Sequence, residues 1–306
     1  MSSFAHLDIV AKTIRGLSID AIEAANSGHP GLPMGCAEIM AYLYGHGLDL
    51  SPRDTSWMNR DRFVLSAGHG SMALYSSLHL AGFDLSLDDI KAFRQLHSPT
   101  AGHPEYGECP GVEMTTGPLG QGVATAAGMA LGQKLAANRY GVQDLDLLNG
   151  RVVVLAGDGC IMEGISAESA SLAGHLKLDN LTLIYDANDI CLDGPLSECM
   201  TEDTAKRYES YGWDVQTING HDYAAIDKAY QAAGESNTPS LIIAKTTIGF
   251  GSPNRAGSSE AHGKALGAEE MKLTKEALGI PLTPLFHVPE EVTSFFQNRQ
   301  SDWETT

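Results

Sequence analysis

Val152-Val153-Val154-Leu155-Ala156 runs directly into Gly157-Asp158-Gly159, and a second run, Leu181-Thr182-Leu183-Ile184-Tyr185, leads into Asp186-Ala187-Asn188-Asp189-Ile190. Between them, residues 166–175 have helical character. Short, continuously apolar segments rich in β-branched residues and separated by helices are the pattern of parallel strands buried on both faces. The alternation continues through 204–211 (helix), 215–218 (strand), 223–233 (helix) and 241–245 (strand). It predicts an α/β fold, a doubly wound and mostly parallel sheet flanked by helices.

Upstream, apolar residues at helical spacing over 6–27 stop at Ser27-Gly28-His29-Pro30, and further helices are expected over 34–44, 70–81, 87–95 and 121–140. Residues 1–280 read as one domain, and 281–306, entered through Pro281, Pro284 and Pro289, as a linker-like tail or cover. The chain has 306 residues, 38 of them acidic and 20 basic, for a net charge of −18. Such a surface disfavours nucleic acid and anionic membranes as partners. A hydrophobic fraction of 43% with 19% charged residues is that of a chain with a large core. No apolar run approaches bilayer length, and the five cysteines form no CxxC pair, so a reducing cytoplasm is the expected location.

In open parallel sheets, ligands bind beyond the carboxyl ends of the strands. Asp158 between two glycines is suited to hold a hard cation while the backbone approaches an anion, although Gly-Asp-Gly alone also fits a tight turn. Asn188 at the next strand end adds an amide oxygen, and nearby carbonyls can add more. Mg²⁺ takes about six oxygens and usually shares some with a phosphate. One carboxylate, one amide and one carbonyl leave room for diphosphate oxygens and water. Neither a Walker A sequence nor a GxGxxG after a strand is present.

Six of the eleven histidines follow glycine, at His29, His46, His69, His103, His175 and His221, where composition alone gives about one. Glycine-flanked histidines in loops suit a cavity that needs both protonation states near neutral pH. His29 and His103 are also followed by Pro, and His69 and His262 by Gly. His46, His175, His221, His6, His79, His97 and His287 receive no role. Zinc is disfavoured, since no HExxH occurs. Thr115-Thr116-Gly117-Pro118-Leu119-Gly120-Gln121-Gly122 is a glycine-rich turn feeding a helix, able to approach a flat or anionic ligand.

Taken together, these residues resemble transketolase. Gly157-Asp158-Gly159 with Asn188 after 28 intervening residues matches the thiamine-diphosphate motif. Ser27-Gly28-His29-Pro30-Gly31, Leu65-Ser66-Ala67-Gly68-His69-Gly70-Ser71, the turn at Thr116 to Gly122, and Ile248-Gly249-Phe250-Gly251-Ser252-Pro253-Asn254 look like the family's motifs in the family's order. The resemblance runs from about Ser3 to about Gly279.

The resemblance implies the amino-terminal diphosphate-binding domain of an enzyme that moves a two-carbon ketol unit from a ketose phosphate to an aldose phosphate. Its cofactors would be thiamine diphosphate and Mg²⁺, with Ca²⁺ or Mn²⁺ as substitutes. Asp158, the Asn188 side chain and the Ile190 carbonyl would hold the cation. His69, Gly159 and His262 would face the diphosphate, and Gly117, Pro118 and Leu119 the rings. His29, His103 and His262 would meet the substrate oxygens, and Lys245 would add positive charge nearby. The family's second domain supplies a glutamate to the cofactor ring and arginines to the substrate phosphate. No candidate for that glutamate is found here, and Glu163 and Glu168 read as helix residues near the metal. The resemblance thus implies a complementary carboxy-terminal subunit, in a homodimer or heterotetramer. The first part of a longer transketolase, a non-catalytic cofactor-binding or regulatory module, and another sugar-specific ketol transferase are the alternatives.

Overall fold

The computed structural model describes residues 4–141, 148–192 and 194–305. Ser3, where the resemblance begins, and Thr306, the end of the tail, lie outside the described residues. Five strands form one wholly parallel sheet: β1 (Arg62–Leu65), β2 (Val152–Gly157), β3 (Leu181–Ala187), β4 (Asp214–Asn219) and β5 (Ser240–Lys245), in the order β1-β2-β3-β5-β4. The central strands are buried along almost their whole length, as their unbroken apolar runs require. The expected fold class is the one observed.

Register levels the strand ends. Gly157 pairs with Asp186, and Ala187 with Lys245, so the segments after β2, β3 and β5 leave the sheet side by side. β1 carried no sequence signal of its own. It is four residues long and follows the irregular stretch before Arg62, yet it aligns Leu65 with Leu155 and so delivers Ser66 to His69 to the same edge.

The helices enclose this sheet. Ala5–Ala25 is buried along most of its length and ends on Asn26 in the left-handed conformation, one residue before the Ser27-Gly28-His29-Pro30 loop. The helix expected over 34–44 is two short helices, Gly31–Gly35 and Ala37–Tyr42. Glycine is required at both ends of the first: a Cβ on Gly31 would lie 2.6 Å from Ile248 Cγ1, and one on Gly35 2.9 Å from the Thr247 carbonyl oxygen. The helix expected over 87–95 stops at Lys91, because Arg94 and His97 take positive φ.

The proline-rich stretch after residue 280 ends in the helix Glu290–Thr305, which packs onto the domain and buries Val292, Phe296 and Trp303. The Trp303 indole donates to the Leu48 carbonyl. The buried ion pair of Lys275 with Asp20, whose second oxygen accepts the Phe286 N–H, fastens the same end of the chain to the first helix. This segment is a cover on the core.

Candidate functional site

At the carboxyl end of β2, Asp158 opens the short helix Asp158–Met162 and is 3% exposed. Its Oδ1 accepts a 2.5 Å hydrogen bond from the Tyr185 hydroxyl on β3. Its Oδ2 is buried and has no partner. Burial pushes this carboxyl up to about 7, Asp186 and Asp189 push the same way, and the Tyr185 hydrogen bond opposes them. An orphaned carboxylate oxygen among other carboxylates is the arrangement a divalent cation would neutralise.

One strand over, Asn188 donates through Nδ2 to Asp186 Oδ2 at 2.9 Å, while its Oδ1 accepts the Ile190 N–H at 3.0 Å. That pair of bonds fixes the amide with its oxygen on the Ile190 side. Asp186 is also held by the Thr246 hydroxyl, from the segment after β5. One carboxylate, one amide oxygen and the neighbouring carbonyl make a hard, oxygen-only donor set of the kind Mg²⁺ takes when phosphate completes it. Among the described residues no group of three or more His, Cys, Asp or Glu is placed to hold a metal.

Four histidines converge. The His29 ring lies 5.2 Å from His69, 6.2 Å from His103 and 5.7 Å from His262, and His69 stacks on His262 at 5.0 Å. Burial pushes His29 down to about 4, with His262 and Arg94 adding to the shift, and pushes His69 down to about 3, with His262 and His29 adding. His103 is lowered by burial and then by Arg94. These three imidazoles are therefore neutral at pH 7, each with one donor and one acceptor. The unfolded chain takes up their protons below about 6.5, so stability is complete above that value and falls as the pH drops towards 4. His69, the most deeply buried of the three, contributes up to about 1.4 kcal/mol per pH unit within its window, and the more exposed His29 and His103 less. Asp158, held up to about 7, acts in the opposite sense over the same range, so the histidine contribution is read as a difference: on going from pH 7 to pH 5, His69→Phe should lose less urea stability than the wild type.

A cavity of about 480 Å³ is lined by His29, His69 and His262, by Asp158, Asn188 and Ile190, and by Gly117, Leu119 and Gly159. A Cβ on Gly159 would come 2.8 Å from Leu119, so the backbone here is as close to its neighbour as glycine allows. Gly117 has φ +150°, and a Cβ there would meet the His103 ring at 3.3 Å. His103, 6.2 Å from the His29 ring, and Pro118 are not among the residues that line the cavity, although both adjoin ones that do. Lys245 is not among the residues that line the cavity; its half-exposed side chain lies 3.5 Å from Asp189, and its positive charge acts on Asp158, favouring the carboxylate. Glu163 lines the rim as the residue before the helix Gly164–His175, and Glu168 is exposed on that helix.

Sequence reasoning assigned no role to Tyr185, Asp186, Ile248 or Arg94. Asp186 was visible as the acid ending the β3 run. Arg94 had no local signal: a left-handed backbone at residue 94 brings its guanidinium to the Ser27 hydroxyl at 2.7 Å and His29 Nδ1 at 3.4 Å.

Residues 7–306 match the family model described as the transketolase thiamine diphosphate binding domain. The chain is 52% identical over 290 residues to a transketolase of Halalkalibacterium halodurans, covering 94% of this chain and 44% of that protein. A Bacillus subtilis transketolase is 53% identical over 289 residues, covering 93% and 43%. A Pichia stipitis transketolase solved as a complex with sedoheptulose-7-phosphate superposes with a TM-score of 0.94 at 43% identity, covering 98% of this chain and 46% of that one. The chain spans less than half the length of the relatives it matches.

Proposed function

The chain belongs to the transketolase family, matching its thiamine diphosphate binding domain, and from that premise we propose that it is the cofactor- and cation-holding part of a ketol transferase acting on sugar phosphates. The observation that carries this reading is the buried, unpartnered Asp158 Oδ2 beside a cavity that His29 and His69, both neutral at pH 7, also line. Asp158, Asn188 Oδ1 and the Ile190 carbonyl would hold Mg²⁺. His69, His262 and Gly159 would meet the diphosphate, with Gly117, Pro118 and Leu119 against the rings. When bound, thiamine diphosphate supplies the electron sink for cleaving and forming a carbon–carbon bond beside a carbonyl.

His29 and His103, with His262, would hydrogen-bond the sugar's hydroxyl and carbonyl oxygens. Neutral imidazoles both donate and accept, which lets them carry a proton between substrate oxygens without a fixed charge in the cavity. A complementary chain with the pyrimidine-binding part would close the cavity, in a homodimer or heterotetramer. Among the described residues no helix is long and apolar enough to cross a membrane.

The test is to combine this chain with one supplying the rest of a transketolase, thiamine diphosphate and Mg²⁺, and to follow aldose-dependent consumption of a ketose phosphate. Turnover is expected, and its absence beside an active full-length control would reject the reading. His29→Ala and His103→Ala should each lower kcat/KM about tenfold, one hydrogen bond's worth of about 1.4 kcal/mol. Unchanged kinetics in both would favour a module that binds cofactor without catalysing. Since Asp158 must shed its proton to take a cation, apparent Mg²⁺ affinity should rise about fivefold from pH 6 to pH 7, readable by calorimetry with proton release.

A further inference from the structure

His221 follows glycine as the cavity histidines do, yet it lies outside the cavity, in the loop after the edge strand β4. Its Nε2 accepts the Thr247 backbone N–H at 3.0 Å, and its Nδ1 lies 3.1 Å from Glu38 Oε2. A peptide N–H can only donate, so Nε2 holds the lone pair and Nδ1 carries the proton towards the carboxylate. Glu38 Oε2 also receives Arg15 Nη2 at 2.6 Å, and Arg15 Nε donates to the Met34 carbonyl. The His221 ring stacks on Phe250 at 4.4 Å, and the Arg15 guanidinium lies 4.6 Å from the same ring. His221 is thus a clamp joining a buried ion pair to both ends of the segment Thr247 to Phe250.

That segment reaches the proposed cation site by one continuous path. Thr246, next to the clamped peptide, bonds Asp186, and Asp186 fixes the Asn188 amide through Nδ2. Ile248, inside the clamped segment, lines the cavity. We infer that His221, as its Nδ1–H tautomer, is a positioning residue for the Asn188 amide ligand, acting through Thr247, Thr246 and Asp186. The inference deepens the proposed function and rests on it. Partners that orient a metal ligand from behind are commonly worth ten- to a hundredfold in metal affinity.

Two variants separate the bonds from the ring. His221→Gln keeps one donor and one acceptor on a planar amide, whereas His221→Phe keeps the stack on Phe250 and loses both bonds. In the chain assembled with its complement and saturated with thiamine diphosphate, His221→Phe should weaken Mg²⁺ binding by about tenfold, and His221→Gln by less than about threefold. Thr246→Val should resemble His221→Phe, and the double variant should lose less than the product of the two, since both interrupt one path. Imidazole ¹⁵N shifts of the 306-residue wild type should report Nδ1–H at His221. The inference is overturned by the Nε2–H form, by wild-type Mg²⁺ affinity in His221→Phe, by a Gln variant as weak as Phe, or by fully multiplying losses in the double variant. A wild-type assembly that binds no thiamine diphosphate with Mg²⁺ would instead overturn the proposed function.

Discussion

Asp158→Ala is expected to weaken Mg²⁺-dependent thiamine diphosphate binding by more than about a thousandfold, roughly 4 kcal/mol, while leaving the cofactor-free chain at least as stable as wild type at pH 8. The two halves of this result have one cause. Without a cation, Asp158 is a buried carboxyl with one oxygen orphaned, and the fold holds its proton up to about pH 7 against an ordinary value of 3.8. A group with a raised native pKa loses stability for the fold as pH climbs through that window, so above it the wild-type chain carries the full cost. Deleting the carboxylate removes the cost together with the one charged group of the proposed ligand set. Thermal unfolding of the chain alone and calorimetry of the assembly, with and without Mg²⁺, measure the two signs separately. A destabilised variant that still binds cofactor would mean that Asp158 serves the fold through Tyr185 and not a cation.

How much of this was legible in the sequence follows from how local each interaction is. β2, β3 and β5 are apolar runs whose residues face protein on both sides, so the signal lies within the strand itself. β1 was not legible, since four residues beginning with Arg62 become a strand only by pairing with Val152 to Leu155. The cover helix Glu290–Thr305 was hidden by its polarity: only one narrow stripe, including Val292, Phe296 and Trp303, meets the core. In the site, Asp158 and Asn188 could be picked out because each ends a strand. The cluster of His29, His69 and His262 was suggested by flanking glycines, but the ring contacts among them, and the lowered pKa of His29 and His69, come from burial among residues 40 to 233 positions apart. His221 shows the same glycine signal and was passed over, because what distinguishes it is a partner at Glu38 and another at Thr247, far from it in sequence. Lys245, picked out by its position at a strand end, does not line the cavity, but its charge lies beside Asp189 and acts on Asp158.

Gly68→Ala is expected to cost about 2 to 3 kcal/mol of stability and about a hundredfold in cofactor affinity, although it adds a single methyl group. That methyl would stand 2.5 Å from Thr116 Oγ1, 2.8 Å from the Thr116 carbonyl carbon and 2.9 Å from the Gly117 nitrogen. A threonine rotamer change relieves only the first contact. The other two are with backbone, so the loop after β1 and the turn at Thr116 to Gly122 must move apart. These loops carry His69 and Gly117, which line the same cavity, and parting them widens it where the cofactor is proposed to sit. A globular domain of ordinary stability survives such a loss folded, so circular dichroism should stay native while calorimetry records the weaker binding. Gly128→Ala is the matched control: it lies within the helix Gln121–Tyr140 with nothing within 4 Å of an added Cβ. There the same methyl should stabilise by about 0.5 to 1 kcal/mol through helix propensity alone and leave binding unchanged. If Gly68→Ala also bound cofactor like wild type, the closeness of these two loops would serve packing only, and the cavity would tolerate their separation.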